Sequence, residues 1–339
     1  MVFPGNVYLA AFAAAATASA ASVPGWRRWC RNHGLVDDPG HRKIHTEPTP
    51  LAGGLAAFTG LVMPLLAGAL LALAHPGARD FLTRVAGHFI DTGEFGLFQY
   101  GLSKRGWQLS GIVLGALGML GIGLRDDQVE MRPAAKFSAQ LACALLVAAF
   151  GVRLTLFVHN IFFSYALTAL WILTVINAFN FMDNMNGLCA GLGAIAAAAF
   201  GAIAAQRGQY LVGSTAWLIA GALAGFLPFN YPRASAFLGD AGSHLTGYLL
   251  AILAILPHFY TSRHPNRFSV LTPLLVLAVP LGDMVWVVCL RWRKGQPFYV
   301  GDTNHLSHRL VRRGLTKTKA VALIWALALA AGGLAFLLE

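Results

Sequence analysis

Apolar runs of about twenty residues, separated by short polar stretches, set the pattern of the chain. A bilayer core takes about 20 mostly apolar residues per helical crossing. Ten windows fit or approach that length: 4–22, 51–74, 107–124, 134–151, 157–176, 187–205, 209–228, 243–258, 268–290 and 319–338. The windows at 134–151 and 243–258 are the shortest. The pattern predicts an all-α integral membrane protein of about ten transmembrane helices. With no internal repeat, low-complexity tract or soluble segment of its own, residues 1–339 read as a single polytopic domain.

Composition agrees with that reading: 57% of the 339 residues are hydrophobic and 12% are charged, where a soluble protein carries about a quarter charged. The first window could pass for a secretion signal, but no Lys or Arg precedes it, whereas Arg27, Arg28 and Arg31 follow it. A signal peptide has the reverse order, so the segment reads as a retained helix with its N-terminus outside. Five connections on one predicted side (23–50, 125–136, 177–188, 229–243 and 291–319) hold 17 of the 25 Lys and Arg, and that side should be cytoplasmic. The net charge of +11 is then explained by topology and by attraction to anionic lipid, without a nucleic-acid partner. The four cysteines are far apart, with no CxxC or Cys/His metal spacing.

Nine of the 14 carboxylates lie on the same side, although acidic residues contribute little to orientation. Their gathering calls for chemistry. "GLRDDQVEMRPAAKFSAQ" carries adjacent Asp126 and Asp127, then Lys136 and Gln140 four apart on one helical face. "NAFNFMDNMNGL" packs Asn177, Asn180, Asp183, Asn184 and Asn186 into ten positions, the first three sharing a face if the preceding helix continues. That suggests a surface bonding a polar ligand with one charge left for a cation. In "FLGDAGSH" Asp240 stands between glycines at a helix start, where it could cap the helix or face a ligand. "HLSHRL" places His305, His308, Arg309 and Arg312 on one face of a short amphipathic helix, and imidazole with guanidinium suits a phosphate or diphosphate. "DDPGHRKIHTEPTPLAGG" clusters His41, Arg42, Lys43 and His45.

Together these segments, with Pro280 and Asp283, resemble the polyprenyl-phosphate N-acetylhexosamine-1-phosphate transferases in order, spacing and membrane side. The "RKIH" and "HRL" stretches look like the branch acting on UDP-N-acetylhexosamines; the phospho-N-acetylmuramoyl-pentapeptide transferases of peptidoglycan synthesis are the alternative branch. The chain departs from the family pattern at Asn184 and Asn186, where many members have Gly and Asp, and at Ser307, where many have a third histidine. The resemblance implies a phosphotransferase using Mg²⁺, or Mn²⁺ in its place, that takes a UDP-sugar donor and an undecaprenyl-type polyprenyl phosphate acceptor in the bilayer of the inner (cytoplasmic) membrane. It implies catalytic roles for Asp126, Asp127, Asp240 and His305. Substrate contacts would come from Lys43, Lys136, Asn180, Asp183, His308 and Arg309, and metal ligation from Asp240 with Asp183. A homodimer is left open. The competing class is a transporter, because Asp283 falls inside the ninth apolar window and an intramembrane carboxylate is a functional candidate by default. Against it, the polar residues gather at one face, and no pair of broken helices in corresponding halves stands out.

Overall fold

The computed structural model describes residues 5–37, 48–73, 92–156, 158, 160–257, 267–297 and 299–339. Each predicted window holds helix: α1 (Gly5–Asn32), α2 (Gly53–Leu73), α3 (Thr92–Val129), α4 (Pro133–Ala149), α5 (Ile161–Met182), α6 (Leu188–Gln206), α7 (Tyr210–Asn230), α8 (Gly239–Ile255), the pair α9 (Thr272–Val276) and α10 (Ala278–Arg293), and α12 (Lys317–Leu337). Between the last two lies the short α11 (Leu306–Arg312). The protein is a multi-pass, all-α membrane protein, and not all ten expected crossings have the length and apolarity of a full span. Among the described residues seven helices are long and apolar enough to span a bilayer, or eight if α9 and α10 form one bent span. The reasons are physical. Helix α4 is 17 residues long, α8 is 17 residues long and enclosed by other helices, and α9 and α10 meet at an angle of 71°.

The bend follows from Pro280, which sits in the first turn of α10. Its missing N–H cannot reach back to a carbonyl of α9, and a first turn is where proline is tolerated. Two boundaries also differ from expectation. Helix α1 runs through Pro24 to Asn32, so Arg27, Arg28 and Arg31 are helical rather than in a loop. Helix α3 begins inside the expected outer connection.

Helix α8 is the axis of the fold. Its residues from Ala241 to Ala254 are all buried, and a helix apolar around its whole circumference must be covered on every side. Helices α2, α3, α5 and α6 do so. Three of these approaches depend on glycine. A Cβ at Gly54 of α2 would meet the backbone of Ala241 and Gly242; at Gly123 of α3, that of Asp240 and Ala241; and at Gly247 of α8, that of Val175 and Ile176 in α5. Such small-residue contacts are how helices pack closely in lipid, where hydrophobicity alone gives no preference for helix over tail. Around this axis α1 lies on α7 and α2, α6 on α7 and α12, and α4 on α3 and α5. A two-residue ladder pairs Val36 with Pro50 and Asp37 with Thr49. It fixes Asp37 at the end of the bundle where α3, α5 and α11 also bring their polar residues.

Candidate active site

Four helix ends converge at the start of α8. The Lys136 ammonium of α4 lies 2.6 Å from Asp126 of α3 and 2.8 Å from Asp240 of α8. Asn180 of α5 donates to the other oxygen of Asp240 at 2.6 Å and to Ser243 at 3.1 Å. Asp126 also accepts the Met131 N–H at 2.6 Å, closing the turn between α3 and α4. The expected sharing of a face by Asn177 and Asn180 holds, because α5 continues through both to Met182.

The capping question at Asp240 has a clear answer. Gly239, with φ +73°, turns the chain into α8 in a conformation L residues rarely adopt. The free N–H groups of that first turn are taken by Asp127, whose two oxygens accept from Asp240 N at 2.8 Å and Ala241 N at 3.1 Å. Asp127 therefore caps α8 from a neighbouring helix, and the Asp240 side chain is left for Lys136, Asn180 and the space beyond. Asp126, not Asp127, has its carboxylate on the lysine.

Beside this cluster is a cavity of about 500 Å³ lined by Asp37, Asp127, Asn180, Asp183 and Asp240. Burial pushes the Asp183 carboxyl up to about 8, reinforced by the negative charges of Asp240 and Asp127 and opposed by a hydrogen bond from the Gly239 backbone. The cavity thus gathers four carboxyl groups whose mutual repulsion a bound cation would relieve. A hard divalent cation prefers such oxygen donors, so this donor set fits Mg²⁺. A second grouping, Asp126, Asp240 and His244, brings ligand atoms within 4.8 Å of one another. The Lys136 ammonium already bridges its two carboxylates, which makes it the poorer metal site.

An adjoining cavity, also about 500 Å³, shares Asp37, Asp183 and Gly239 and extends past Asn184, Asn186, Tyr231 and His308 to Lys317 and Thr318 of α12. From the "HLSHRL" segment His308 reaches its far wall, whereas His305 lies behind it and lines neither cavity; the segment is held by three polar ties. Asp283 accepts from His305 Nδ1 at 2.7 Å and from Leu306 N at 2.6 Å. Arg291 donates from Nε to Asp302 at 2.8 Å, and Ser307 donates to Asn184 at 2.6 Å. Asp283, the residue that suggested transport, is thus the partner that orients His305. The His305 and His308 rings lie 6.3 Å apart. Burial, then the charges of His305 and Arg312, hold the His308 imidazole below its ordinary range.

Other placements correct the sequence reading. Arg309 does not share a ligand face with the histidines; it stacks over Trp286 of α10, 4.5 Å from the ring centroid, and is not among the residues lining either cavity. Arg312 donates to the Thr303 carbonyl. The asparagines mostly brace protein rather than waiting for a ligand: Asn177 donates to Gln140, Asn184 to the Phe181 carbonyl and Asn186 to that of Pro232. Lys43 falls outside the described residues, as do His41, Arg42 and His45. Sequence reasoning missed His244, whose signal was its place one turn after Asp240 in an otherwise apolar helix. It also missed Asp37 as part of the cavity wall.

Comparison with known proteins now bears on this geometry. Residues 109–258 match glycosyl transferase family 4, a span that includes Asp126, Asp127, Lys136, Asn180, Asp183 and Asp240. The chain is 32% identical over 320 residues to the decaprenyl-phosphate N-acetylglucosaminephosphotransferase of Mycobacterium tuberculosis H37Rv, covering 86% of this chain and 72% of the relative. It is 29% identical over 300 residues to the probable undecaprenyl-phosphate N-acetylglucosaminyl 1-phosphate transferase of Bacillus subtilis 168, covering 86% and 74%. With the undecaprenyl-phosphate alpha-N-acetylglucosaminyl 1-phosphate transferase of Escherichia coli K12 the identity is 28% over 312 residues, covering 88% and 75%. On these matches the chain belongs to the polyprenyl-phosphate N-acetylhexosamine-1-phosphate transferases of glycosyl transferase family 4.

Proposed function

We propose that the protein transfers a sugar 1-phosphate, N-acetylglucosamine 1-phosphate in the first instance, from a UDP-sugar to a membrane polyprenyl phosphate. The products would be a polyprenyl diphospho-sugar and UMP. The observation that carries this reading is the Lys136 ammonium between Asp126 and Asp240, the latter lining an oxygen-rich cavity that adjoins the one His308 lines. The names of the relatives supply the substrates. None of those three is named for a muramoyl-peptide donor.

In this reading a phosphate oxygen of the lipid attacks the donor's β-phosphorus. A new P–O bond forms, the bond between the β-phosphorus and the bridging oxygen breaks, and UMP leaves with that oxygen on its own phosphate. Phosphoryl transfer needs positioning and charge neutralisation more than covalent help. Lys136 holds the acceptor phosphate, and Asp126 fixes the ammonium that does so. A phosphate monoester is already largely ionised near neutral pH, its second pKa being about 6, so Asp126 organises the acceptor rather than having to deprotonate it. Asp240 and Asp183, with Asn180, would hold Mg²⁺ or Mn²⁺, which supplies relief of the repulsion between two anionic substrates. His305 and His308 are assigned to the donor's diphosphate or its sugar, and Lys43 to the same phosphates. Asp127 serves by holding the start of α8.

In this reading the protein lies in the inner membrane with its N-terminus outside and its site loops in the cytoplasm, where nucleotide sugars are supplied; the excess of Lys and Arg on the loop side supports that orientation. The test is UMP release by the purified protein from UDP-N-acetylglucosamine and undecaprenyl phosphate. It should depend on Mg²⁺ and give a lipid product heavier by one N-acetylhexosamine phosphate. Absence of UMP release with every UDP-sugar offered would end this reading.

A further inference from the structure

The site is built in two tiers. Helices α4, α5 and α8 each contribute a pair of polar residues one helical turn apart: Lys136 and Gln140, Asn180 and Asn177, Asp240 and His244. Spacings of three and four residues put each pair on one helical face. The upper tier, Lys136, Asn180 and Asp240, is the one assigned above to substrates and metal. The lower tier lies deeper and is bonded within itself. Asn177 Nδ2 donates to Gln140 Oε1 at 3.2 Å and to the Leu173 carbonyl at 2.8 Å. Gln140 Nε2 lies 3.3 Å from His244 Nε2. Gln140 is 1% exposed and His244 is fully buried, with Asn177 half-buried beside them.

We propose that His244 is a positioning residue for the transfer reaction. Through Gln140 and Asn177 it sets the height and rotation of α4 and α5 against α8, and so the spacing of Lys136, Asp126 and Asp240. The inference rests on the function proposed above. Three observations support it. Since Gln140 Oε1 accepts from Asn177, its Nε2 is the donor to the ring, which makes His244 Nε2 the acceptor and puts the ring proton on Nδ1. That Nδ1 is buried with no hydrogen-bond partner, and an unpaired buried donor is a cost to stability. A leucine would fill the place without that cost, so filling space does not account for an imidazole here. A ligand atom of His244 also lies within 4.8 Å of both Asp126 and Asp240, the two carboxylates that Lys136 bridges. A shift of the tier is therefore a shift of the acceptor's binding groups.

The experiment uses the full-length protein in detergent, with undecaprenyl phosphate and UDP-N-acetylglucosamine varied separately. His244→Leu leaves Gln140 Nε2 without its acceptor. It should lower kcat/KM for the lipid phosphate by about tenfold to a hundredfold, the scale expected of a misplacement near 1 Å. The KM for UDP-sugar should stay within about twofold. His244→Gln, whose carboxamide can still accept the Gln140 N–H, should recover most of the loss, which a purely structural role would not require. Gln140→Met opens the same chain from α4 and should give the same acceptor-side loss, providing the test if His244→Leu fails to elute as folded protein. Wild-type kinetics in His244→Leu or Gln140→Met would overturn the inference. So would equal losses toward both substrates, or no recovery in His244→Gln. Failure of the unsubstituted protein to release UMP would instead count against the proposed function.

Discussion

The carboxylate centre at the start of α8 and the histidine wall at α11 stand at two adjoining cavities, yet they are built in opposite ways. The first is made from the ends of long helices. Glycines at 54 and 123 let α2 and α3 approach the backbone of α8 closely, and Asp127 caps it across the gap. The second is a seven-residue helix on a loop, held to the bundle by side chains: Asp283 on His305, Arg291 on Asp302, and Ser307 on Asn184. Groups on rigid elements suit chemistry that tolerates little misplacement, whereas a tethered segment suits a wall that must admit and release a large donor. The carboxylate centre should therefore govern turnover and the histidine wall donor binding.

The largest effect that can sharpen this contrast is expected at Asp240. Asp240→Asn keeps the shape, and because Asp127 supplies the cap of α8, the helix start is undisturbed. What is lost is the charge that faces Lys136 and that a hard cation prefers. Turnover should fall by orders of magnitude while the amount of folded protein in detergent stays the same. Near-normal kcat at limiting Mg²⁺ would break the assignment of chemistry to this centre.

A smaller effect is expected at Asp283, on the other side of the comparison. Asp283→Asn keeps an acceptor for the Leu306 N–H but turns its amide toward His305 Nδ1, so the imidazole loses the partner that fixes its tautomer. A hydrogen bond to a charged group is worth about 1.5–3 kcal/mol. The KM for UDP-sugar should rise by about tenfold on that scale, with a smaller change in the lipid dependence. If the two substrates respond alike, the histidine wall is not a donor element and the contrast fails.

The two regions also differ in how far the sequence foretells them. The carboxylate centre is foreshadowed by apolar windows that bring their polar ends to one face, and by Lys136 and Gln140, or Asn177 and Asn180, at helical spacing. What spacing could not show is which carboxylate does what. Asp127 caps α8 and Asp126 binds Lys136, although the two are neighbours, because adjacent helical residues point about 100° apart. His244 escaped notice for a related reason: its place one turn after Asp240 is a weak local signal, and the groups it meets, Gln140 and through it Asn177, come from two other helices. The histidine wall was legible as a motif but not as a structure. Its anchors, Asp283 and Arg291, belong to a different helix, and the 71° break that presents them involves tertiary packing as well as Pro280.

The smallest effect expected is at Arg309, and it separates motif from geometry most directly. By sequence Arg309 follows the two histidines and would be expected to meet a phosphate. In the fold its guanidinium stacks on Trp286, half-exposed on the outer face of α10, and the two cavities are lined without it. A cation–π contact of this kind contributes about 0.5–1 kcal/mol at an exposed site. Arg309→Ala should therefore cost about that much in stability, measured as a modest drop in Tm, with the KM for UDP-sugar within about twofold of the unsubstituted value. His305 and His308 are held by Asp283 and by the rest of the loop, so their positions do not depend on the arginine. Should Arg309→Ala instead raise that KM as much as Asp283→Asn does, the guanidinium must leave Trp286 when the donor binds. The histidine wall would then be a surface that closes on its substrate rather than one held ready for it.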